Sequence, residues 1–306
     1  MLTTLQQMMT NSSNLVEDIY KVINGEVSVD DISYEELAES IATTIHTRLS
    51  DTEPVRKTLG LSSVGKPLRK LWYDLHSEEE LVKPTPSMRL KYLFGDIIED
   101  LLLWLVKVSG HTVTDRQKEV THCGVVGHID SIIDGEVVDV KSASPKSFLK
   151  FLGGSLPDND PFGYLAQITA YDKEVGKGNP GFLVMNKVTG EICDYRPDPI
   201  FDMPDVDVII EKAKEAVNKD TPPDELCYEP VPDGASGNMK LATGCEYCPY
   251  RHKCFPNLRA FKYANGVRYL TRVVKEPKVE EITDVETNQD NLETTDRADG
   301  STDYSS

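Results

Sequence analysis

A long apolar run is the first thing this sequence lacks. Its densest stretch, "LLLWLVKV" from Leu101, is eight residues long and directly follows Glu99 and Asp100. A bilayer-spanning helix needs roughly 20 apolar residues, so this stretch predicts a buried helix and no membrane partner. The first residues show no charged-then-apolar leader pattern, which predicts a cytoplasmic protein. In that reducing setting the six cysteines read as free thiols or metal ligands rather than disulfides. Basic residues are also scarce, with 33 Lys and Arg against 51 Asp and Glu and a net charge of −18. That balance argues against a polyanionic partner. The excess is uneven, however. Glu276–Ser306 carries −8 of it, and this polar stretch, ending "NLETTDRADGSTDYSS", is expected to be a disordered tail over 276–306. Acids that bind divalent cations would neutralise part of the remainder, so the charge weakens a nucleic-acid reading without removing it.

What is present reads as an ordered series of elements with no internal repeat. Residues 1–85 form a helical N-terminal region, with helices expected over roughly Leu5–Ile23 and Tyr34–Leu49. A third helix is expected to open at Pro67, beside Lys66, Arg69 and Lys70. In "SMRLKYLFGDIIEDLLLWLVKVSG", Leu90, Leu93, Phe94, Ile97, Ile98, Leu101, Leu102 and Leu105 recur at helical spacing, and Gly110 stops the helix. Strand-like runs follow from His111 to Ala143. A helix near Tyr164–Lys173, two strands around the Thr189–Gly190 turn and a helix from Met203 complete the series. Helices and strands in this order indicate an α/β or α+β core.

The run "GHIDSIIDGEVVDVKSAS" from Gly127 carries the chemistry. Asp134–Gly135 is a favoured two-residue hairpin turn. Counting outward from it sets Ile133 opposite Glu136, Ser131 opposite Val138, Asp130 opposite Asp139 and His128 opposite Lys141. Alternation then places Asp130, Asp139, His128 and Lys141 on one face, with Ile129, Ile133, Val138 and Val140 on the other. Directly opposed carboxylates repel. Taken alone, such a pair reads as the solvated face of an amphipathic hairpin. With a lysine two residues on, it also makes a claw for a hard divalent cation beside an ammonium suited to phosphoryl chemistry.

These residues resemble the hallmark of the PD-(D/E)XK nuclease superfamily, an acid on one strand followed by acid-x-Lys on the next, here Asp130 and Asp139-Val140-Lys141. The sequence is most similar to the RecB-type exonuclease branch, including the iron–sulfur nucleases of CRISPR adaptation and their phage relatives. That branch adds Gln-x-x-x-Tyr on a following helix, matched by Gln167 and Tyr171 in "YLAQITAYD". It also has a metal ligand on an earlier helix after a glycine, matched by Gly95 and Glu99 in "LFGDIIED". Many relatives carry histidine at that ligand position. The match spans roughly Arg89 to Phe255. It implies a restriction-endonuclease-like α/β core, a central mixed sheet flanked by helices, over 86–220. It further implies Mg²⁺ or Mn²⁺ held by Glu99, Asp130, Asp139 and the Val140 carbonyl, with Lys141 activating water and Gln167 and Tyr171 orienting the site. His128 would touch phosphate or orient a neighbour. The implied activity is a DNA exonuclease on single strands or duplex ends, alongside a helicase or recombinase, in a host-cell cytoplasm if phage-encoded. The rival reading is a nuclease-fold DNA-binding accessory protein without turnover.

"GCEYCPYRHKCFP" spaces Cys245, Cys248 and Cys254 as close ligands, with Cys227 upstream. The spacing suits zinc or a four-iron cluster. Iron–sulfur relatives also end in three clustered cysteines, which implies a [4Fe–4S] cluster with Cys227 as fourth ligand, zinc remaining the alternative. This knuckle is expected over 221–275. Arg251, Lys253, Arg259, Lys262, Arg268 and Arg272 alternate there with Phe and Tyr, a pattern that suits single-stranded nucleic acid or an ordinary solvated surface.

Overall fold

The structure, a computed structural model, describes residues 14–50, 58–77, 86–176, 178–264 and 266–282. They divide into two units. One comprises Met1–Lys66 with Met88–Glu215, the other Pro67–Ser87 with Ala216–Ser306. The helical region expected over 1–85 is therefore shared between the units rather than standing alone. The first expected helix is described only from Leu15.

In the first unit, α1 (Leu15–Ile23), α2 (Asp31–Ser50) and α3 (Pro86–Val108) precede a five-stranded mixed sheet. Its strands are β1 (Val113–Thr114), β4 (Ser131–Ile133), β5 (Glu136–Ala143), β6 (Gly181–Asn186) and β7 (Ile192–Tyr195), adjacent in that order. Two further strands, β2 (Lys118–His122) and β3 (Val125–Ile129), pair as a separate hairpin. Among the described strands of this sheet, β5 and β6 are the parallel pair, and the connection between them carries α4 (Pro145–Leu152) and α5 (Tyr164–Val175). A further helix, α6 (Val206–Val217), follows β7.

Alternation along β5 and β6 feeds two cores. Val137, Phe182 and Val184 pack with Ile168, Ala170 and Tyr171 of α5 and with Val206 and Ile210 of α6. Val138, Val140 and Leu183 pack with Leu15 and Ile19 of α1 and Ile98, Leu102 and Leu105 of α3. The sheet is thus covered on both faces, as a parallel strand pair requires. Burial in α3 begins at Ile98, whereas Leu90 and Phe94, read as part of the same apolar stripe, are exposed. Gly110 ends the helix with φ 100°, as expected.

The second unit contains the helix Leu68–His76, its first turn preceded by Pro67, and the strands β8 (Val231–Pro232), β9 (Met239–Lys240), β10 (Arg259–Tyr263), β11 (Gly266–Arg272) and β12 (Glu281–Ile282). They form a sheet in the order β12-β10-β11-β9-β8. β12 pairs with β10, so the tail expected from 276 still contributes a strand. The rest of that tail, from 283, lies outside the described residues.

Candidate metal centre and cysteine cluster

The Asp134–Gly135 turn forms as the sequence indicates. Both residues have positive φ, 50° and 89°, as a type I′ turn requires. The register is the counted one, with Ile133 opposite Glu136, Ile132 opposite Val137 and Ser131 opposite Val138. The ladder then stops at Asp130. Instead of continuing the strand, the Asp130 carboxylate accepts a hydrogen bond from the Val140 amide at 2.9 Å. This break separates β3 from β4 and resets side-chain parity. Ile129 consequently joins the α5-side core rather than packing with Val138 and Val140. His128 does not face Lys141. It pairs with Glu119 on β2, its Nε2 3.7 Å from that carboxylate and its side chain half exposed, so the structure does not bring it to the acids.

The other expected residues do converge. Asp139 is 1% exposed, and Lys141 Nζ lies 2.5 Å from its Oδ2. Gln167 Nε2 donates to Asp139 Oδ1 at 3.2 Å and lies 3.3 Å from the Tyr171 hydroxyl. One helical turn separates Gln167 from Tyr171, so α5 presents both to the same strand. The Lys141 ammonium also sits 5.0 Å from the centre of the Tyr164 ring. From α3, Glu99 accepts from Gln117 Nε2 at 3.0 Å.

The electrostatics follow from three acids sharing a poorly solvated place. Burial, followed by repulsion from Asp139, pushes the Asp130 carboxyl up to about 8. Burial also raises Glu99, against the pull of Gln117 and Arg116. Burial opposes charge on Lys141, but Asp139 and Asp130 outweigh it and hold the ammonium charged above its ordinary range. Burial pushes the Tyr171 hydroxyl up to about 12, leaving it a hydrogen-bonding group rather than a base. Beside Lys141 opens a cavity of about 250 Å³, lined among others by Ser144, Ser147, Lys150, Tyr164 and Lys187.

Sequence reasoning missed Asp100, which is 5% exposed and bonded to Ser40 at 2.8 Å, Thr44 at 2.5 Å and Arg116 at 2.5 Å. Burial pushes its carboxyl up, yet these donors more than offset that and hold it below the usual carboxylate range. It pins α2 and the segment before β2 to α3, next to Glu99. Ser40 and Thr44, four apart on α2, were the available signal.

In the second unit Cys227, Cys245, Cys248 and Cys254 lie near one another. Burial, together with the other three sulfurs, pushes the Cys245 thiol up to about 12, and burial also raises Cys227 and Cys248. Donors surround them. Arg69 Nε lies 3.3 Å from Cys254 Sγ, and the main-chain amides of Lys70 and Tyr250 serve Cys227 and Cys248. Among the described residues, no three of these sulfurs fall within 4.8 Å of one another. The neighbouring cations have internal partners. Arg259 binds Glu276 and Glu281, each at 2.6 Å, and Arg268 binds Asp233 at 2.9 Å and stacks over Tyr263. Arg251 stacks over Tyr269 at 4.5 Å. The alternation of basic and aromatic residues is therefore largely taken up by contacts inside this unit.

No protein-family model and no curated protein matches the sequence. Among solved structures, the chain is similar to SSO0001, whose crystal structure aligns with a TM-score of 0.40 at 16% identity, over 71% of this chain and 93% of that one. Among the described residues, no helix is long and apolar enough to cross a membrane.

Proposed function

We propose that this protein is a metal-dependent deoxyribonuclease of the RecB type, hydrolysing phosphodiester bonds in single strands or at duplex ends. The observation that carries the proposal is the meeting of Asp130, Asp139 and Glu99 beside Lys141, where burial and mutual repulsion disfavour full ionisation unless a cation joins them. Oxygen-only donors, with the Val140 carbonyl as the family resemblance adds, suit Mg²⁺ or Mn²⁺. Such an ion, when bound, would polarise a phosphoryl oxygen and acidify a water molecule. The residues supply the rest. Lys141, kept charged by Asp139, orients the attacking water and stabilises charge gathering on the phosphoryl oxygens. Gln167 fixes the Asp139 carboxylate, and Tyr171 braces Gln167. Lys150 and Lys187 line the adjoining cavity, where they would bind neighbouring phosphates, while Tyr164 offers an aromatic face.

For the second unit we propose a [4Fe–4S] cluster on Cys227, Cys245, Cys248 and Cys254. The preference for the cluster rests on the family resemblance, in which three clustered cysteines close the nuclease core, and zinc on the same four thiolates is the alternative. The donors from Arg69, Lys70 and Tyr250 stabilise sulfur-borne negative charge in either case. The cluster would fasten the loops that carry the cysteines.

The test is incubation of end-labelled single- and double-stranded DNA with Mg²⁺ or Mn²⁺. The proposal expects divalent-dependent shortening of the strands, abolished by chelator and by Asp139→Asn. DNA binding without cleavage, unchanged in Asp130→Asn and Asp139→Asn, would instead establish the accessory-protein reading.

A further inference from the structure

A second group of metal-ligating side chains lies outside this centre, where the β2–β3 hairpin meets α5 and α6. His122 ends β2 and Cys123 begins the turn, with His122 paired to Val125, so the loop is the two residues Cys123–Gly124. His122 Nδ1 lies 2.7 Å from Glu174 on α5, and its Nε2 lies 2.6 Å from Asp207 Oδ1 on α6. Cys123 Sγ is 3.9 Å from that same oxygen. Lys173 Nζ holds the other Asp207 oxygen at 2.8 Å. One nitrogen, one sulfur and one carboxylate oxygen thus lie within 4.8 Å of one another.

Two features point past a simple ion pair. A proton on Nε2 can join His122 to Asp207 at 2.6 Å, and a metal ion taking the Nε2 lone pair would replace that proton. The Glu174 contact is the outer partner that commonly fixes the tautomer and orientation of a metal-bound histidine. The turn itself has φ 46° at Cys123 and 72° at Gly124, a type I′ geometry that favours Asn, Asp or Gly at the first position. A cysteine there costs backbone strain and sets an exposed sulfur beside the histidine and the aspartate.

We propose that His122, Cys123 and Asp207 form a binding site for a borderline divalent transition ion of the Zn²⁺ class, with a fourth position open to solvent. The mixed N, S and O donors separate it from the oxygen-only centre at Asp130 and Asp139. Ligand separations of about 3.3–3.8 Å around tetrahedral zinc would require Nε2 and Oδ1 to part by somewhat less than 1 Å, with the sulfur almost in place. The ion would tie the β2–β3 hairpin to the N-terminal turn of α6, while Glu174 links it to α5, one turn beyond Tyr171.

The test is Zn²⁺ titration against a chromophoric chelator, using full-length protein stripped of metal. Wild type, Cys123→Asn and Asp207→Asn are compared after identical preparation. Asparagine suits the positive φ at 123, so that variant should unfold at the wild-type temperature or above without metal, keeping the comparison free of misfolding. The site predicts one fewer zinc equivalent per chain in Cys123→Asn and at least tenfold weaker binding of that equivalent in Asp207→Asn. It also predicts that zinc raises the melting temperature of wild type more than that of Cys123→Asn. Equal equivalents and equal zinc-induced shifts in all three proteins would overturn the site and leave His122 as an imidazolium bridge between two carboxylates.

Discussion

At Asp130 one carboxylate does two jobs that conflict. It ends the β4–β5 ladder by accepting from the Val140 amide, and it stands beside Asp139 where a second charge is unwelcome. Its folded-state pKa, about 8, lies above its ordinary value of 3.8. Between those values the folded chain binds more protons than the unfolded one, so this residue makes the metal-free fold less stable as pH rises from about 4 to 8. Asparagine preserves the acceptor and removes the charge. Urea unfolding of metal-free Asp130→Asn should therefore show a shallower loss of stability over that range than wild type, with the variant the more stable at pH 8. Added Mn²⁺ should stabilise wild type and leave the variant unmoved. A parallel pH dependence in both proteins would remove the account given for Asp130. Lys141 is the converse case. Lys141→Met leaves the Asp139 charge buried without its partner, a loss of about 3–5 kcal/mol, measurable by the same unfolding.

Among the elements, β3 and α5 approach closely enough that position 127 tolerates only glycine. A Cβ there would stand 2.7 Å from Leu61 Cβ and 2.8 Å from Tyr171 Cε1. Gly127→Ala should cost about 1–3 kcal/mol of stability by overpacking. Because Tyr171 braces Gln167, it should also lower cleavage more than Gly135→Ala, whose Cβ meets nothing within 4 Å and which strains only the turn. Comparing the two variants in melts and in cleavage separates site geometry from general destabilisation. The hairpin was legible because Asp134–Gly135 admits one turn type and the turn fixes the count. The proximity of the candidate residues Asp130, Asp139 and Lys141 was legible with it. The count failed at Asp130, because a side chain that captures a strand amide breaks the two-residue alternation. His128 and Ile129 were misplaced for that single reason. Asp100 was missed for another: its donors lie 56 to 60 residues upstream and 16 downstream, so only the spacing of Ser40 and Thr44 hinted at it.

Over the whole molecule, the net charge of −18 argued against nucleic acid, while the basic and aromatic residues after Cys245 suited either a single strand or an ordinary solvated surface. The structure assigns several of those cations to internal partners and places Lys150 and Lys187 with Lys141 around one cavity. The second unit depends on its cysteines differently. Among the described residues, one of its buried clusters is small, built around Leu241, Cys245, Ala260, Tyr269 and Ile282. Small cores often need a covalent or metal staple. Anaerobically purified protein should be brown with visible charge-transfer absorption. Cys248→Ser should lose that colour, and amide exchange over 227–282 should quicken by at least tenfold while exchange in β5 and β6 holds. A colourless protein carrying stoichiometric zinc at these cysteines would replace the cluster with a zinc knuckle and leave the nuclease reading intact.

The central claim is that Asp130, Asp139 and Lys141 together cleave DNA. The most direct test is single-turnover cleavage of an end-labelled single strand in Mn²⁺, comparing wild type with Lys141→Met under conditions where both are shown to be folded. The account predicts cleavage by wild type and a rate at least about 100-fold lower in the variant, the scale expected when one stabilising donor is removed from developing charge. Equal rates in the two proteins, or no cleavage by folded wild type in either Mn²⁺ or Mg²⁺, would contradict it.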